Sequence, residues 1–356
     1  MKKYIKHLFT LTVFMVLMTV MQLFTFSTRV DDEKNKQGFS PRFEISALTV
    51  PGDLGFSGEP VPLNDFEVYE RMDRELTINT YWETNTLMSF KRANRWFPVI
   101  IPILKRNGIP EDFKYIPMIE TGFMNLTSPA GAVGFWQFME PTAKEMGLEV
   151  NSVVDERYHV EKSTQAACDY FKKLYREFGN WTMVAAAYNV GLTGLKTQVI
   201  RQKTTNYYDL LLNAETSRYV FRLVAVKEVY ENPVRYGYKI DKKDLYKEIP
   251  TYTVKVDTAV SDFAGFAQSM KINYKMLKTF NPWLREAYLD NGAKKTYYIQ
   301  IPKEGYQHLS PFDAQSARSA KPFLEISVTS HGHSLSYGHV IFCIRPVSPR
   351  WIYLLF

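Results

Sequence analysis

Between residues 163 and 178, Ala167, Tyr170, Phe171, Leu174, Tyr175 and Phe178 fall on one broad face at helical spacing, and Gly179 follows where a left-handed residue can close the last turn. A chain with so long an apolar stripe has to bury it, and its neighbours offer helices to bury it against. Phe66, Tyr69 and Met72 recur at helical spacing, and Trp96, Val99, Ile100, Ile103 and Leu104 mark a second stripe that Asn107-Gly108 stops. Pro110-Glu111-Asp112 opens another helix, with proline in the first turn and acids at the positive end of the dipole. Residues 181–188 read as a short apolar helix closed near Gly191, and 214–230 as a longer one stopped by Asn232-Pro233. Residues 65–240 are therefore expected to form a helical domain.

The pattern changes after Tyr238. A Lys/Asp-rich stretch leads to Tyr252-Thr253-Val254-Lys255-Val256, then two short helical stretches, then Tyr297-Tyr298-Ile299-Gln300-Ile301-Pro302. Strand, helix, helix and strand make a small α+β module over residues 250–303, so the fold class is mainly α with one such module appended. Residues 304–356 carry no assignable pattern. Residues 29–64, rich in Pro, Gly, Ser and charge, read as a linker.

At the start, Lys2, Lys3 and Lys6 precede an uncharged apolar run over residues 8–26, which marks residues 1–28 as an export segment. The run is long enough to cross a bilayer and no small-x-small cleavage site is obvious, so a cleaved signal and an uncleaved inner-membrane anchor both fit. Either way the rest of the chain is expected in the periplasm or cell envelope. The 44 basic residues against 37 acidic ones give a net charge of +7, which favours a polyanionic partner. Nucleic acid, anionic lipid and an anionic wall qualify, and the lack of helix-turn-helix, zinc-finger or aromatic RNA-binding patterns removes nucleic acid. Cys168 and Cys343 do not make a disulfide scaffold, and Cys168 is expected as a buried free thiol. His331, His333 and His339 lack the carboxylates or thiols that would make them a metal site.

Chemistry concentrates in residues 115–139, YIPMIETGFMNLTSPAGAVGFWQFM. Glu120 ends a hydrophobic helical stretch and projects into apolar and aromatic surroundings, where burial raises a carboxyl pKa and keeps a proton available near neutral pH. The glycines of the loop from Ser128 to Gly134 allow close backbone approach. Trp136 offers a flat face for a sugar ring and Gln137 an amide. Each feature alone has a plainer use, as a helix end, a turn or a core aromatic.

Taken together the stretch resembles the active-site segment of soluble lytic transglycosylases, a lysozyme-like family in which Glu-Ser-x-Phe precedes Gly-Ala-x-Gly-Leu-x-Gln-x-Met. Here Glu120-Thr121-Gly122-Phe123 is followed by Gly131-Ala132-Val133-Gly134-Phe135-Trp136-Gln137-Phe138-Met139. The family's Ala-Tyr-Asn-Ala-Gly stands as Ala187-Tyr188-Asn189-Val190-Gly191, and its Glu-Thr-Arg-x-Tyr-Val as Glu215-Thr216-Ser217-Arg218-Tyr219-Val220. The likeness is strongest to the membrane-bound type D branch, in which LysM glycan-binding modules follow the catalytic domain. The module at 250–303 resembles a degenerate LysM, with Asp257-Thr258 and Asn281-Pro282 in place but the usual glycines missing. Thr121 replaces the family serine, and Ser217 stands where an arginine is expected.

The resemblance implies a peptidoglycan lyase with one carboxyl group in two roles. Glu120 would protonate the oxygen between N-acetylmuramic acid and N-acetylglucosamine, and then take the proton of the muramoyl 6-hydroxyl as it closes onto C1, leaving a 1,6-anhydro end. Tyr188 matches the tyrosine that hydrogen-bonds the catalytic carboxyl, and Asn189 is its companion. Thr121, Ser128, Gln137 and Met139 match positions touching the sugar and its N-acetyl group, and Glu215 and Tyr219 match residues lining the glycan cleft. The implied partner is the peptidoglycan glycan strand, with no cofactor and no metal. Two other readings stay open: a hydrolytic lysozyme on the same fold, and a catalytically inactive wall-binding protein.

Overall fold

The computed structural model describes residues 46–304. The export segment, Cys343, the three C-terminal histidines and the unassigned tail lie outside the described residues. Asp65 starts the first helix, α1 (Phe66–Tyr81), by accepting from the backbone N–H groups of Glu67 and Val68 at 2.8 and 3.1 Å. Helix α2 (Glu83–Arg106) buries Phe90, Ala93, Phe97, Ile100, Ile103 and Leu104. A 3₁₀ turn (Glu111–Tyr115) then leads into the six-residue α3 (Ile116–Thr121), and α4 (Glu140–Glu145) follows the glycine loop.

Helix α5 (Val160–Phe178) ends on Gly179 at φ 74°, the left-handed closure its sequence asks for. Helix α6 (Trp181–Val190) is the centre of the domain. Met183, Val184, Ala185, Ala186 and Ala187 are fully buried, as a helix apolar on all sides must be. Its small residues let α5 and α8 (Thr216–Glu231) pack close on either side, while α7 (Leu192–Gln202) covers the edge. Cys168 on α5 is a buried free thiol whose pKa burial pushes up to about 12.

The expected linker is corrected from Val50 onward. Val50, Leu54, Phe56 and Val61 are buried in the helical core, and Gly55–Phe56 (β1) pairs with Glu59–Pro60 (β2) as a tight hairpin. Polar groups fix it in place. The Glu59 carboxylate accepts from Trp181 and Thr182 N–H at 2.5 and 2.8 Å, capping α6, and Asp112 accepts from Ser57 N–H and Lys227 Nζ, both at 2.7 Å. The composition of this stretch resembles a linker because its four apolar anchors are separated by turn residues.

Beyond α8, β3 (Thr251–Val256) pairs antiparallel with β4 (Tyr297–Pro302), Thr251 opposite Pro302 and Val256 opposite Tyr297. Helices α9 (Phe263–Ser269) and α10 (Tyr274–Phe280) lie between them, each opened by a side-chain cap from Asp262 or Asn273. Buried Asn281 exchanges two hydrogen bonds with Gln300, at 2.7 Å each, and so ties the end of α10 to β4. Phe263, Leu277, Leu284, Ile299 and Ile301 fill a second core, which also takes in Val133, Val154 and Tyr158 from the helical part. The molecule is thus mainly α with a small βααβ module. Among the described residues no helix is long and apolar enough to cross a membrane.

Candidate active site

Helix α3 ends at Gly122, φ 56°, and Phe123 follows at φ 59°, a conformation that is costly for a residue with a bulky side chain. Packing offsets that strain: the Phe123 ring is buried, edge-on to Phe97 and Phe135 with centroids 5.6 and 6.1 Å away. The double left-handed turn fixes the end of α3, and Glu120 is its last residue but one. The Glu120 side chain keeps some access to solvent yet is surrounded by protein on most sides, as on the floor of a cleft. Desolvation raises its pKa above the ordinary carboxylate value. A hydrogen bond from Tyr219 and the charge of Arg222 pull the other way, and Glu215 adds to the rise.

The tyrosine on this carboxyl group is Tyr219, whose hydroxyl donates to Glu120 Oε1 at 2.6 Å. Tyr188, expected in that role, donates to the backbone oxygen of Trp136 at 2.5 Å instead. Both phenols are held far from ionisation by burial, each with Glu120 as a neighbouring charge. Two aromatic hydroxyls therefore stand near one acid, and one of them touches it.

Asn189 lies one residue further along α6 and works as a bracket. Its amide donates to Glu215 Oε1 at 3.1 Å and its carbonyl accepts from Thr216 Oγ1 at 2.7 Å, which joins the end of α6 to the start of α8. Glu215 itself is exposed. Ser217, in the place of the expected arginine, turns its hydroxyl back onto Ala214 O at 3.2 Å. The next residue, Arg218, reaches buried Glu75 on α1 at 2.6 Å.

The glycine loop is a compact double bridge, with Val133 pairing to both Thr127 and Phe138. Ser128 Oγ accepts from Ala132 N–H at 3.0 Å, and Gln137, at φ 49°, donates its side-chain amide to Gly134 O at 2.8 Å. Gly134 has φ 80°, and an added Cβ would overlap the Arg157 carbonyl oxygen, so only glycine fits. Ser128 and Gln137 stay half-buried and Met139 is exposed, leaving all three open to a ligand.

One expectation is corrected here. Trp136 presents no face to a sugar: it is fully buried, its indole N–H donates to Thr164 Oγ1 at 2.9 Å, and it packs edge-on to Phe171. Thr121 is buried as well, its hydroxyl directed at Pro117 O and Phe135 O at 3.2 and 3.4 Å, which braces the turn.

Sequence reasoning missed what lies on the other side of Glu120. A cavity of about 310 Å³ opens there, lined by Asn79, Trp82, Asn85, Ser89, Arg218 and Arg222 among others. Arg222 also donates to Ile119 O at 2.9 Å, which braces the last turn of α3. Its spacing of three from Tyr219 was the available signal, since that places both on one helix face. For Trp82 and Asn85, at the junction of α1 and α2, no signal exists without the fold.

Residues 98–211 match the family described as Transglycosylase SLT domain, and residues 252–305 match the Soluble lytic transglycosylase C-terminal LysM-like domain. The Membrane-bound lytic murein transglycosylase D of Escherichia coli K12 is 30% identical over 273 residues, covering 73% of this chain and 58% of that protein. The protein of the same description from Escherichia coli O6:H1 gives the same figures. The chain therefore spans somewhat less than two thirds of the length of these relatives. Among solved structures, the 70 kDa soluble lytic transglycosylase of Escherichia coli superposes with a TM-score of 0.36 and 17% identity, over 50% of this chain and 33% of that one.

Proposed function

We propose that this chain, which carries a transglycosylase SLT domain followed by a LysM-like domain, is a peptidoglycan lytic transglycosylase of the cell envelope. The observation that carries the reading is a carboxyl group, Glu120, whose pKa is raised by burial and which accepts a hydrogen bond from the Tyr219 hydroxyl at 2.6 Å. A raised pKa suits a group that must give a proton to a glycosidic oxygen near neutral pH. The same group, once ionised, is a competent base for the muramoyl 6-hydroxyl, and the hydroxyl of Tyr219 stabilises that ionised stage. The bond from C1 to the bridging oxygen breaks, the leaving N-acetylglucosamine takes the Glu120 proton, and the 6-oxygen closes onto C1 as its own proton passes to Glu120. No water is consumed.

A hydrolytic glycosidase normally sets two carboxylates across the bond it cleaves. Among the described residues Glu215 is the one carboxylate whose charge raises Glu120, and Asn189 holds it from the side. This favours Glu215 as a lining residue over a nucleophile. Ser128, Gln137 and Met139 are accessible and suit contacts to the sugar and its acetamido group. Export rests on the basic and apolar leader, residues 1–28, as either a cleaved signal or an inner-membrane anchor.

Digestion of purified peptidoglycan followed by mass analysis of the muropeptides tests the reading. Anhydro ends, lighter than reducing ends by one water, are expected. Reducing ends would replace the lyase by a lysozyme. Glu120→Gln should lower the rate by about 10³-fold or more, within the range for removal of a general acid. If the wild type and this variant bind walls equally and neither cuts them, the protein is a wall-binding scaffold.

A further inference from the structure

The βααβ module does not close its core alone. Val133, at the centre of the glycine loop, is buried in the same cluster as Phe263, Leu277, Leu284 and Ile299. The polar contacts follow the same path. Residues 283–285 lie along residues 153–155 as a short antiparallel edge: Asp155 N–H donates to Trp283 O at 2.9 Å, Arg285 N–H donates to Val153 O at 2.8 Å, and Leu284 bridges to Val154.

From that edge two routes reach the loop. In one, the Arg285 guanidinium lies 4.1 Å above the Tyr158 ring, and the Tyr158 hydroxyl is 2.8 Å from Thr127 Oγ1, beside Ser128. In the other, Asp155 holds Arg157 in a buried two-pronged pair, with distances of 2.7 and 2.9 Å. Arg157 Nη1 then donates to Gly131 O and Phe138 O at 3.3 and 3.2 Å, the two sides of the loop, while its own carbonyl presses on Gly134. A module present only to hold glycan needs none of these contacts, and a flexible linker would serve it better. Loops are by default the mobile part of a fold, yet this one is clamped at its start, middle and end.

We propose that Arg285 is a positioning residue for the 127–138 loop, and that the C-terminal module sets the geometry of Ser128 and Gln137 from behind. The proposal rests on the transglycosylase reading only for what the loop is for; the mechanical coupling stands apart from it. The cation over Tyr158 fixes that ring, the ring hydroxyl fixes Thr127, and Thr127 fixes the pairing with Val133. Backbone contacts at 153–155 do not depend on the Arg285 side chain, so its removal should leave the module docked.

The full chain is compared with its Arg285→Ala, Arg285→Lys and Tyr158→Phe variants by amide hydrogen exchange and by turnover of soluble glycan strands, where wall anchoring has no bearing. In Arg285→Ala the amides of Ala132, Gly134 and Phe138 should exchange about tenfold faster, and kcat/KM on soluble strands should fall about tenfold. Sedimentation with insoluble walls should stay as in the wild type. Arg285→Lys, which keeps a cation over the ring, should recover most of both losses. Unchanged loop exchange and turnover in Arg285→Ala, with wall binding lost, would overturn the proposal in favour of a holding role. Should Arg285→Ala fail to fold, Tyr158→Phe, which removes only the hydroxyl facing Thr127, decides the same question from exchange at Ala132 and Gly134. A wild-type chain that cuts no glycan would sink the functional reading, while loop exchange would still decide this one.

Discussion

The helical core and the core of the C-terminal module differ in where their residues come from. The first is filled entirely from residues 50–238, around an α6 that is buried on all sides. The second draws on Val133, Val154 and Tyr158 as well as on its own strands and helices. A self-contained core can be altered locally. A borrowed one transmits change to its lender, and here the lender is the loop carrying Ser128 and Gln137.

The sharpest way to break this contrast is Gly134→Ala. Its Cβ would overlap the Arg157 carbonyl, and its φ of 80° is strained for alanine, so a loss of about 2–4 kcal/mol is expected. Chemical denaturation should show it, with both cores affected because the loop gives Phe138 to one and Val133 to the other. Val133→Ala comes next, at about 1–3 kcal/mol. If the borrowed core behaves as described, this change inside the loop should lower protection at Leu277 and Ile299 in the module. Loss confined to the loop would show the two cores to be independent after all.

Tyr219→Phe tests the self-contained side. The phenol favours the ionised form of Glu120, so its loss should raise that pKa further and move the alkaline limb of the pH–rate profile to higher pH. The rate near neutrality should fall about tenfold through lost orientation of the carboxyl group, with the module untouched. An alkaline limb that stays in place would mean that another group governs it. The smallest effect is expected for Lys295→Ala. Its half-exposed pair with Glu149, at 3.0 Å, joins the two parts at the surface, and solvent screening should hold the change below about 0.5 kcal/mol in thermal melts.

Much of the backbone is legible in the sequence because its signals are local. Gly179 and Asn232-Pro233 act over one turn, and the elements read from such signals lie within a few residues of their expected bounds, whereas α4, α7 and the β1–β2 hairpin are not foreseen. Glu120 is legible as a candidate because a carboxylate at the end of an apolar helix is unusual within its own neighbourhood. Partners are harder to see. Tyr188 and Tyr219 are both tyrosines in the motifs, and only the crossing of α6 and α8 decides which hydroxyl meets a carboxyl group 99 residues from Tyr219 in the chain. Trp136 misleads because an indole beside a glycine loop looks the same in sequence whether its flat face is turned outward or toward Phe171. The stretch from Val50 to Val61 reads as a linker because four anchors spread over twelve positions leave no periodicity to detect.

Glu59 has a consequence for the order in which this chain matures. It caps α6 across 122 residues, and α6 carries Tyr188 and Asn189. During synthesis the acceptor emerges long before its two donors, so the amino-terminal hairpin must wait, uncommitted, until the middle of the protein has left the ribosome. A protease that nicks the hairpin after maturation would uncap the helix from a distance, and the damage would be felt at the bracket between Asn189 and Glu215.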